Sequence, residues 1–313
     1  MLANFLSKSK PINFIVLLVL FSCVFLYNVI FVFAFDDFSL NVFLKSVGFL
    51  LVFLLIFFFY NFVISKNNLT RDNTYAFFIF TLFLSLFITK IYVFKIIFLL
   101  FFYVLFLRKI YSLKSNKTVL QKLFDSGFWM AIMFFIEPFT IVFAILIYVA
   151  IFIHHKITIH TLFAPIIGFC APLICYYAYF LWMDNTEGFS NLFLLNSFNE
   201  IYFYSEKNFY WIITVLLALT LIGLILKTPK ALSVNNSFKR NWILVLINFF
   251  VAVGFSLFIP EKTGVEFLFV IFPASIIIAN GFEMINNSLI KNIALYLLLI
   301  FTIVFPLFYS LEP

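Results

Sequence analysis

Long apolar runs, separated by short loops that carry most of the charge, divide this chain almost from end to end. About 20 apolar residues cross the hydrocarbon core of a bilayer as one helix. Charged residues make up only 11% of the 313 positions, against about 25% in a typical soluble domain. A water-facing surface cannot be assembled from such a sequence. The pattern predicts an all-α, polytopic membrane helix bundle, with residues 1–313 forming a single transmembrane domain.

Two of the runs are interrupted near their middle, which predicts two short helical hairpins. The first is hinged near Lys90, and the second is broken by Glu137-Pro138. A proline removes a backbone donor and breaks or kinks a helix, and a carboxylate inside a span is costly. With each hairpin counted as two crossings, about eleven spans are predicted, near 12–35, 42–64, 75–88, 91–107, 128–136, 139–153, 161–182, 210–226, 242–259, 267–282 and 292–309.

The distribution of basic residues predicts the orientation, because cytoplasmic loops collect Lys and Arg. With eleven spans and a cytoplasmic N-terminus, Lys90, Lys95, Lys207 and Lys262 fall outside. The predicted topology is therefore N-in and C-out. The basic residues never form a dense patch with interleaved aromatics, so no nucleic-acid binding is expected. The predicted inner loops hold Lys8, Lys10, Lys66, Arg71, Arg108, Lys109, Lys114, Lys117, Lys122, Lys156, Lys227, Lys230, Lys239, Arg240 and Lys291.

Two sites carry carboxylates that bear on chemistry. Asp36-Asp37 directly follows the first run, and such a pair can hold a divalent cation (Mg or Mn) or act as a general base. Alternatively, the pair caps the helix end and stops it sliding into lipid. Glu137 lies within a run, where carboxylates are often functional, or it caps the hairpin tip in interfacial water. Glu266 and Glu283 are interpreted as boundary residues that snorkel to the interface.

The loop at 184–208 is acidic and rich in aromatic residues, which predicts an amphipathic helix on the outer bilayer surface. His154, His155 and His160 have no acidic partner nearby in the sequence, which makes a metal site there a weak alternative.

The acidic pair after the first span, the short central hairpins and the eleven N-in, C-out crossings together resemble the GT-C membrane glycosyltransferases. The stretch from Asp125-Ser126-Gly127 to His155 is similar to their short paired helices, and the stretch from Val265 to Ala279 is similar to their late "RYxxP" span. The overall pattern also resembles uncharacterised inner-membrane proteins of Bacteroidota. The resemblance implies a multi-pass protein of the bacterial inner membrane.

The GT-C resemblance further implies transfer of a sugar from a polyprenyl-phosphate donor at the outer face. Asp36, Asp37 and Glu137 would then be the catalytic acids, with Asp36 and Asp37 also the metal ligands. The cations available outside are lysines, so Lys90, Lys95 and Lys262 are the predicted contacts to the donor.

A non-catalytic membrane subunit is the alternative. It would keep the same scaffold and bind protein partners within a cell-envelope assembly. A transporter is less well supported, because no inverted repeat is visible in the sequence.

Overall fold

A computed structural model describes residues 1–33, 39–184, 186–193, 207–233, 236–259 and 264–309. Among these residues every regular element is a helix and no β-strand occurs, which confirms the all-α class. The α-helices are α1 Leu2–Leu6, α2 Pro11–Asn28, α3 Leu40–Asn67, α4 Tyr75–Leu86, α5 Ile88–Ile91, α6 Phe94–Ser112, α7 Val119–Ile136, α8 Ala144–Ile153, α9 Ile159–Trp182, α10 Thr186–Ser190, α11 Lys207–Ser233, α12 Asn236–Phe258, α13 Leu268–Met284 and α14 Ser288–Tyr309.

Shorter elements extend several of these helices. A π-helical turn, Val29–Phe33, continues α2, and 3-10 segments at Pro138–Phe143 and Val265–Phe267 lead into α8 and α13. A further 3-10 turn, Asn191–Phe193, follows α10. The proline of Pro138–Phe143 stands at the first position of its segment, where the missing amide donor costs no hydrogen bond.

Within the described part of the chain, eight helices are long and apolar enough to cross a membrane. The chain is therefore a multi-pass membrane protein. These eight are Pro11–Phe31, Leu40–Asn67, Val119–Ile136, Ile159–Trp182, Tyr210–Ser233, Ser237–Phe258, Val265–Met284 and Ser288–Phe305.

The helix α13 forms the centre of the bundle. In its apolar stretch 94% of the residues are buried, against 22% for α9 and 17% for α14. The outward faces of α9 and α14 present large exposed apolar side chains, including Ile167, Ile174 and Leu289. Such faces suit contact with lipid, whereas α13 is enclosed by protein on nearly all sides.

The loops at one end of the bundle are tied together by hydrogen bonds. The carbonyl oxygen of Asn67, at the end of α3, accepts from Asn241 Nδ2 at 2.8 Å and from Lys114 Nζ at 3.4 Å. Asn292 Oδ1, near the start of α14, accepts from the terminal amine of Met1 at 2.9 Å. We call this the basic end, because lysine and arginine side chains at this end make further polar contacts. These contacts are Lys109 with Asp125, Lys156 with Asn116, and Arg71 and Lys227 with Glu283.

Other contacts define the opposite end of the bundle. The hydroxyls of Ser46, in the second turn of α3, and Tyr92, just before α6, lie 2.7 Å apart. Lys95, in the first turn of α6, pairs with Glu137, which follows α7. We call this the opposite end. The helices α3 and α6 thus each run between the two ends.

The chain reverses direction at Glu137-Pro138, as predicted. The helix α7 starts near the basic end and stops at Ile136, and the segment Pro138–Ile153 returns until Lys156 meets Asn116. The predicted bounds of the first arm are wrong, however. Residues 128–136 were expected to form it, but α7 begins at Val119 and its 18 residues are long enough to span.

Several other helices extend beyond their apolar runs. The helix α11 continues through Lys227 and Lys230 to Ser233, and α12 begins at Asn236 rather than near 242. The short α1, from Leu2 to Leu6, was not predicted. Most of the predicted surface helix at 184–208 lies outside the described residues, which include there only Asp184, α10, the turn at Asn191–Phe193 and the start of α11.

Two glycines permit close contact between α7 and α9. A Cβ atom on Gly127 of α7 would lie 1.9 Å from Pro165 O of α9, and one on Gly168 of α9 would lie 2.0 Å from Phe124 O of α7. Such distances leave no room for a side chain. Small residues of this kind allow membrane helices to gain van der Waals contact across their backbones.

Candidate functional site

Two residues that the sequence assigned to different roles lie in contact at the opposite end. Lys95 Nζ is 3.2 Å from Glu137 Oε2, although 42 positions separate them in the chain. The Glu137 side chain is 15% exposed and that of Lys95 is 54% exposed. The carboxylate is therefore held inside the rim of the bundle, and the ammonium group can also reach a ligand from outside.

The backbone around the break fixes Glu137 in position. Its amide donates to Met133 O at 2.9 Å, which completes the last turn of α7, and its φ and ψ of −146° and 103° then end the helix. The carbonyl oxygen of Glu137 accepts from the amide and the hydroxyl of Thr140, at 3.0 and 2.7 Å. Because both sides of the break are bonded, Glu137 is held at the apex of the hairpin.

Aromatic residues and one further lysine surround the beginning of α6. Lys45 Nζ lies 4.3 Å from the centre of the Tyr92 ring, with the Phe49 and Phe94 rings at 5.7 and 5.9 Å. An ammonium group at such distances is attracted by the negative ring faces. Lys45 has no role that its sequence position predicts, because only the fold brings α3 beside Tyr92.

The remaining predicted site residues have different outcomes. Lys90 lies in α5, whose Ile91 directly precedes Tyr92. Asp36, Asp37 and Lys262 lie outside the described residues. Among the described residues, no group of three or more His, Cys, Asp or Glu side chains is placed to hold a metal ion. The Mg or Mn site at Asp36 and Asp37 therefore stays a prediction, and no described residue is assigned to a metal.

Glu283 was interpreted as a snorkelling boundary residue, and that interpretation is wrong. Its side chain is only 4% exposed. Oε2 pairs with Lys227 Nζ at 2.9 Å, and Oε1 accepts from the Arg71 amide and from Asn73 Nδ2, both at 2.7 Å. The carboxylate joins α13, α11 and the loop after α3 at the basic end, so its groups are satisfied by protein rather than by water.

Glu266 also departs from the snorkelling prediction. It lies in the 3-10 turn before α13 and is 3% exposed, so its carboxylate is inside the protein rather than at the interface. Burial of a carboxylate is costly unless it is hydrogen-bonded or paired.

Polar residues in the middle of the bundle form buried hydrogen bonds that the sequence does not predict. Tyr103 donates to Asn248 Oδ1 at 2.8 Å, and Asn248 Nδ2 donates to Tyr111 at 3.3 Å. Tyr60 and Ser275 form a second buried pair at 2.5 Å. These bonds join α6 to α12 and α3 to α13, as side-chain hydrogen bonds do between membrane helices. No motif signals them, because each partner is distant in sequence.

The fold and these contacts define a multi-pass helical membrane protein with the Lys95–Glu137 ion pair near the rim of its opposite end and a buried ionic cluster at its basic end. A family model matches residues 1–312, and the chain belongs to this family, described as "Family of unknown function (DUF6427)". No match is found among curated proteins or among solved structures.

Proposed function

We propose that this chain is a glycosyltransferase-like protein of the bacterial inner membrane, which transfers a sugar from a polyprenyl-phosphate donor at the outer face. The observation that carries the proposal is the Lys95–Glu137 pair of 3.2 Å at the opposite end. It joins a predicted donor-binding cation to a predicted catalytic carboxylate. The opposite end would be the outer face.

The proposed topology has eleven spans, N-in and C-out. In addition to the eight long apolar helices, the segments Tyr75–Ile91, Phe94–Ser112 and Pro138–Ile153 would each complete a crossing. The support comes from contacts: basic loops that alternate along the chain meet at one end. The positive-inside rule then assigns that end to the cytoplasm.

In the proposed reaction, a carboxylate takes the proton of the acceptor hydroxyl. The hydroxyl oxygen of the acceptor at the same time attacks the anomeric carbon of the donor sugar. The bond from that carbon to the phosphate oxygen breaks, and polyprenyl phosphate leaves with the bonding electrons. Asp36, Asp37 and Glu137 are the candidate bases. Lys95 would stabilise the leaving phosphate, because an ammonium group binds phosphate as a point charge.

The proposal is tested by the transfer of radiolabelled sugar from synthetic polyprenyl-phosphate donors in proteoliposomes. We expect Glu137→Gln and the double variant D36N/D37N each to lower transfer by about 100-fold or more. Glu187→Gln is the matched control, because it removes an exposed carboxylate of α10 and should leave transfer unchanged. Wild-type protein that is folded yet transfers no sugar from any donor would refute the proposal.

One surface favours the alternative of a non-catalytic subunit. A groove of about 510 Å³ between α7 and α9 is lined mainly by apolar side chains, including Phe124, Phe163 and Ile167, and also by Gln121 and His160. A helix of a membrane partner would bury these apolar groups and meet the two polar ones. Photo-crosslinkers at Phe163 should then capture one defined membrane protein, whereas a crosslinker at Ile293 of α14 should not.

A further inference from the structure

At the basic end, a cleft lies between the loop after α3 and the facing ends of α11 and α12. Its volume is about 450 Å³. One side is basic, from Arg71, Lys227 and Lys230, and another is formed by the ring of Phe238. Asn68, Thr70, Asp72 and Ala231 complete the lining. This cleft is remote from the Lys95–Glu137 pair and has no part in the proposed transfer.

The cations of this cleft differ in how firmly they are held. The Lys227 side chain is 6% exposed, because it binds Glu283 at 2.9 Å and lies 5.1 Å from the centre of the Phe238 ring. The Arg71 side chain is 66% exposed, and its Nε is 3.8 Å from Glu283. Lys230 is exposed one turn beyond Lys227. The buried Glu283 therefore anchors the cleft wall and leaves Arg71 and Lys230 directed to solvent.

Charge counting gives the cleft a positive balance. Arg71, Lys227 and Lys230 contribute three positive charges, and Asp72 with the underlying Glu283 contributes two negative ones. Asp72 also accepts a hydrogen bond from Ser9 Oγ, which directs one carboxylate oxygen away from a ligand. Guanidinium and ammonium groups so arranged suit a phosphate ester, with Arg71 able to bind two oxygens at once.

The surface beside the cleft is apolar and faces away from the protein. On α11, one to two turns before Lys230, the side chains of Ile222, Ile225 and Leu226 are 53%, 74% and 41% exposed. A ligand with its phosphate in the cleft can therefore lay hydrocarbon chains along this face. Basic pockets between membrane helices on the cytoplasmic side bind anionic lipid head groups in this way.

We propose that the cleft lined by Arg71, Lys227 and Lys230 binds the phosphate head group of an anionic membrane phospholipid, whose acyl chains lie along α11. The acyl face decides between a lipid and a soluble phosphate, because a soluble phosphate ester would gain nothing from Ile222 and Ile225. Removal of the two exposed cations should weaken binding about 25-fold, since each basic residue near an anionic surface contributes about fivefold.

The test uses the purified full chain in neutral detergent with phosphatidylglycerol, phosphatidylcholine or glycerol phosphate. Of these three compounds, we expect only phosphatidylglycerol to raise the melting temperature of the protein and to stay bound in native mass spectra. The double variant R71Q/K230Q should bind it about 25-fold more weakly. The control K10Q/K117Q removes the same charge from exposed residues outside the cleft lining and should bind as the wild type does.

Two results would overturn the proposal. If R71Q/K230Q and K10Q/K117Q bind phosphatidylglycerol equally, the attraction comes from the whole basic end and not from the cleft. If glycerol phosphate stabilises the wild type as strongly as phosphatidylglycerol does, the site takes a soluble phosphate ester. Neither readout depends on sugar transfer, so failure here and failure of the proposed function are distinguishable.

Discussion

Lys227 and Glu283 form an ion pair of 2.9 Å in which the two side chains are 6% and 4% exposed, although 56 positions separate them in the chain. The pair joins α11 to α13 at the basic end. Because Arg71 and Asn73 also bond to Glu283, the same carboxylate fixes the loop that follows α3. A single side chain thus ties the central helix to two of its neighbours.

Loss of Glu283 should destabilise the protein strongly. Glu283→Gln would leave Lys227 as a buried charge without its counter-ion, and removal of one partner of a buried pair costs about 3–5 kcal/mol. The double variant K227M/E283Q should be less destabilised than the sum of the two single variants. Thermal unfolding of the detergent-solubilised proteins measures the stability losses of the single variants and of the double variant. Strict additivity of the single effects would show that the two side chains do not interact.

The close contact between α7 and α9 should be lost when Gly127 or Gly168 is replaced by a residue with a side chain. Gly127→Ala or Gly168→Ala places a Cβ atom about 2 Å from a backbone carbonyl oxygen, so the helices must separate. We expect a loss of several kcal/mol, beyond the 1–3 kcal/mol typical of overpacking. Gly48→Ala is the matched control, because nothing lies within 4 Å of its Cβ position. The control should be neutral or stabilising by up to about 1 kcal/mol.

The helical class and the break at Glu137-Pro138 were predictable, since run length and proline chemistry are local properties. The start of α7 at Val119 was not. Lys122 and Asp125 look like loop residues in the sequence, but Asp125 pairs with Lys109 of α6 at 2.5 Å and Lys122 Nζ donates to Ser112 O at 2.8 Å. These tertiary contacts satisfy polar groups within the helix, so it extends beyond the apolar run.

The predicted sites illustrate the same limit. When only the neighbours along the chain are known, a carboxylate at the end of an apolar run is predicted to extend its side chain to the membrane interface. Glu283 instead meets Arg71 and Asn73, which precede it by more than 200 positions. The Lys95–Glu137 contact was likewise not predicted as a pair, although each residue was singled out. Pairing depends on how helices are arranged, which periodicity does not encode.

Cysteine labelling should establish the orientation. In a variant with Cys23, Cys170 and Cys175 replaced by Ala, a single cysteine at Glu187 should react with an impermeant maleimide added to intact cells. A cysteine at Lys117 should react only after the membrane is opened. Both residues are exposed, so accessibility alone does not separate them. Labelling of position 117 in intact cells would reverse the proposed topology.

His154 should make the stability of the protein depend on pH. The residue follows α8 at the basic end and is 7% exposed. Burial, followed by the charges of Arg240, Lys156, Lys114 and His155, lowers the pKa of His154 from 6.5 to about 4. Between these two values the unfolded chain binds a proton that the folded chain does not, so stability falls as the pH drops from about 6.5 to about 4.

At pH 5 the lowered pKa of His154 reduces the free energy of unfolding by about 2 kcal/mol. His154→Asn should therefore lose less stability than the wild type when the pH is lowered from 7.5 to 5.0, as measured by melting temperatures in detergent. His160→Asn is the matched control, because His160 is exposed, and it should keep the wild-type dependence on pH. Equal losses in all three proteins would show that His154 is protonated as readily in the folded state as in the unfolded one.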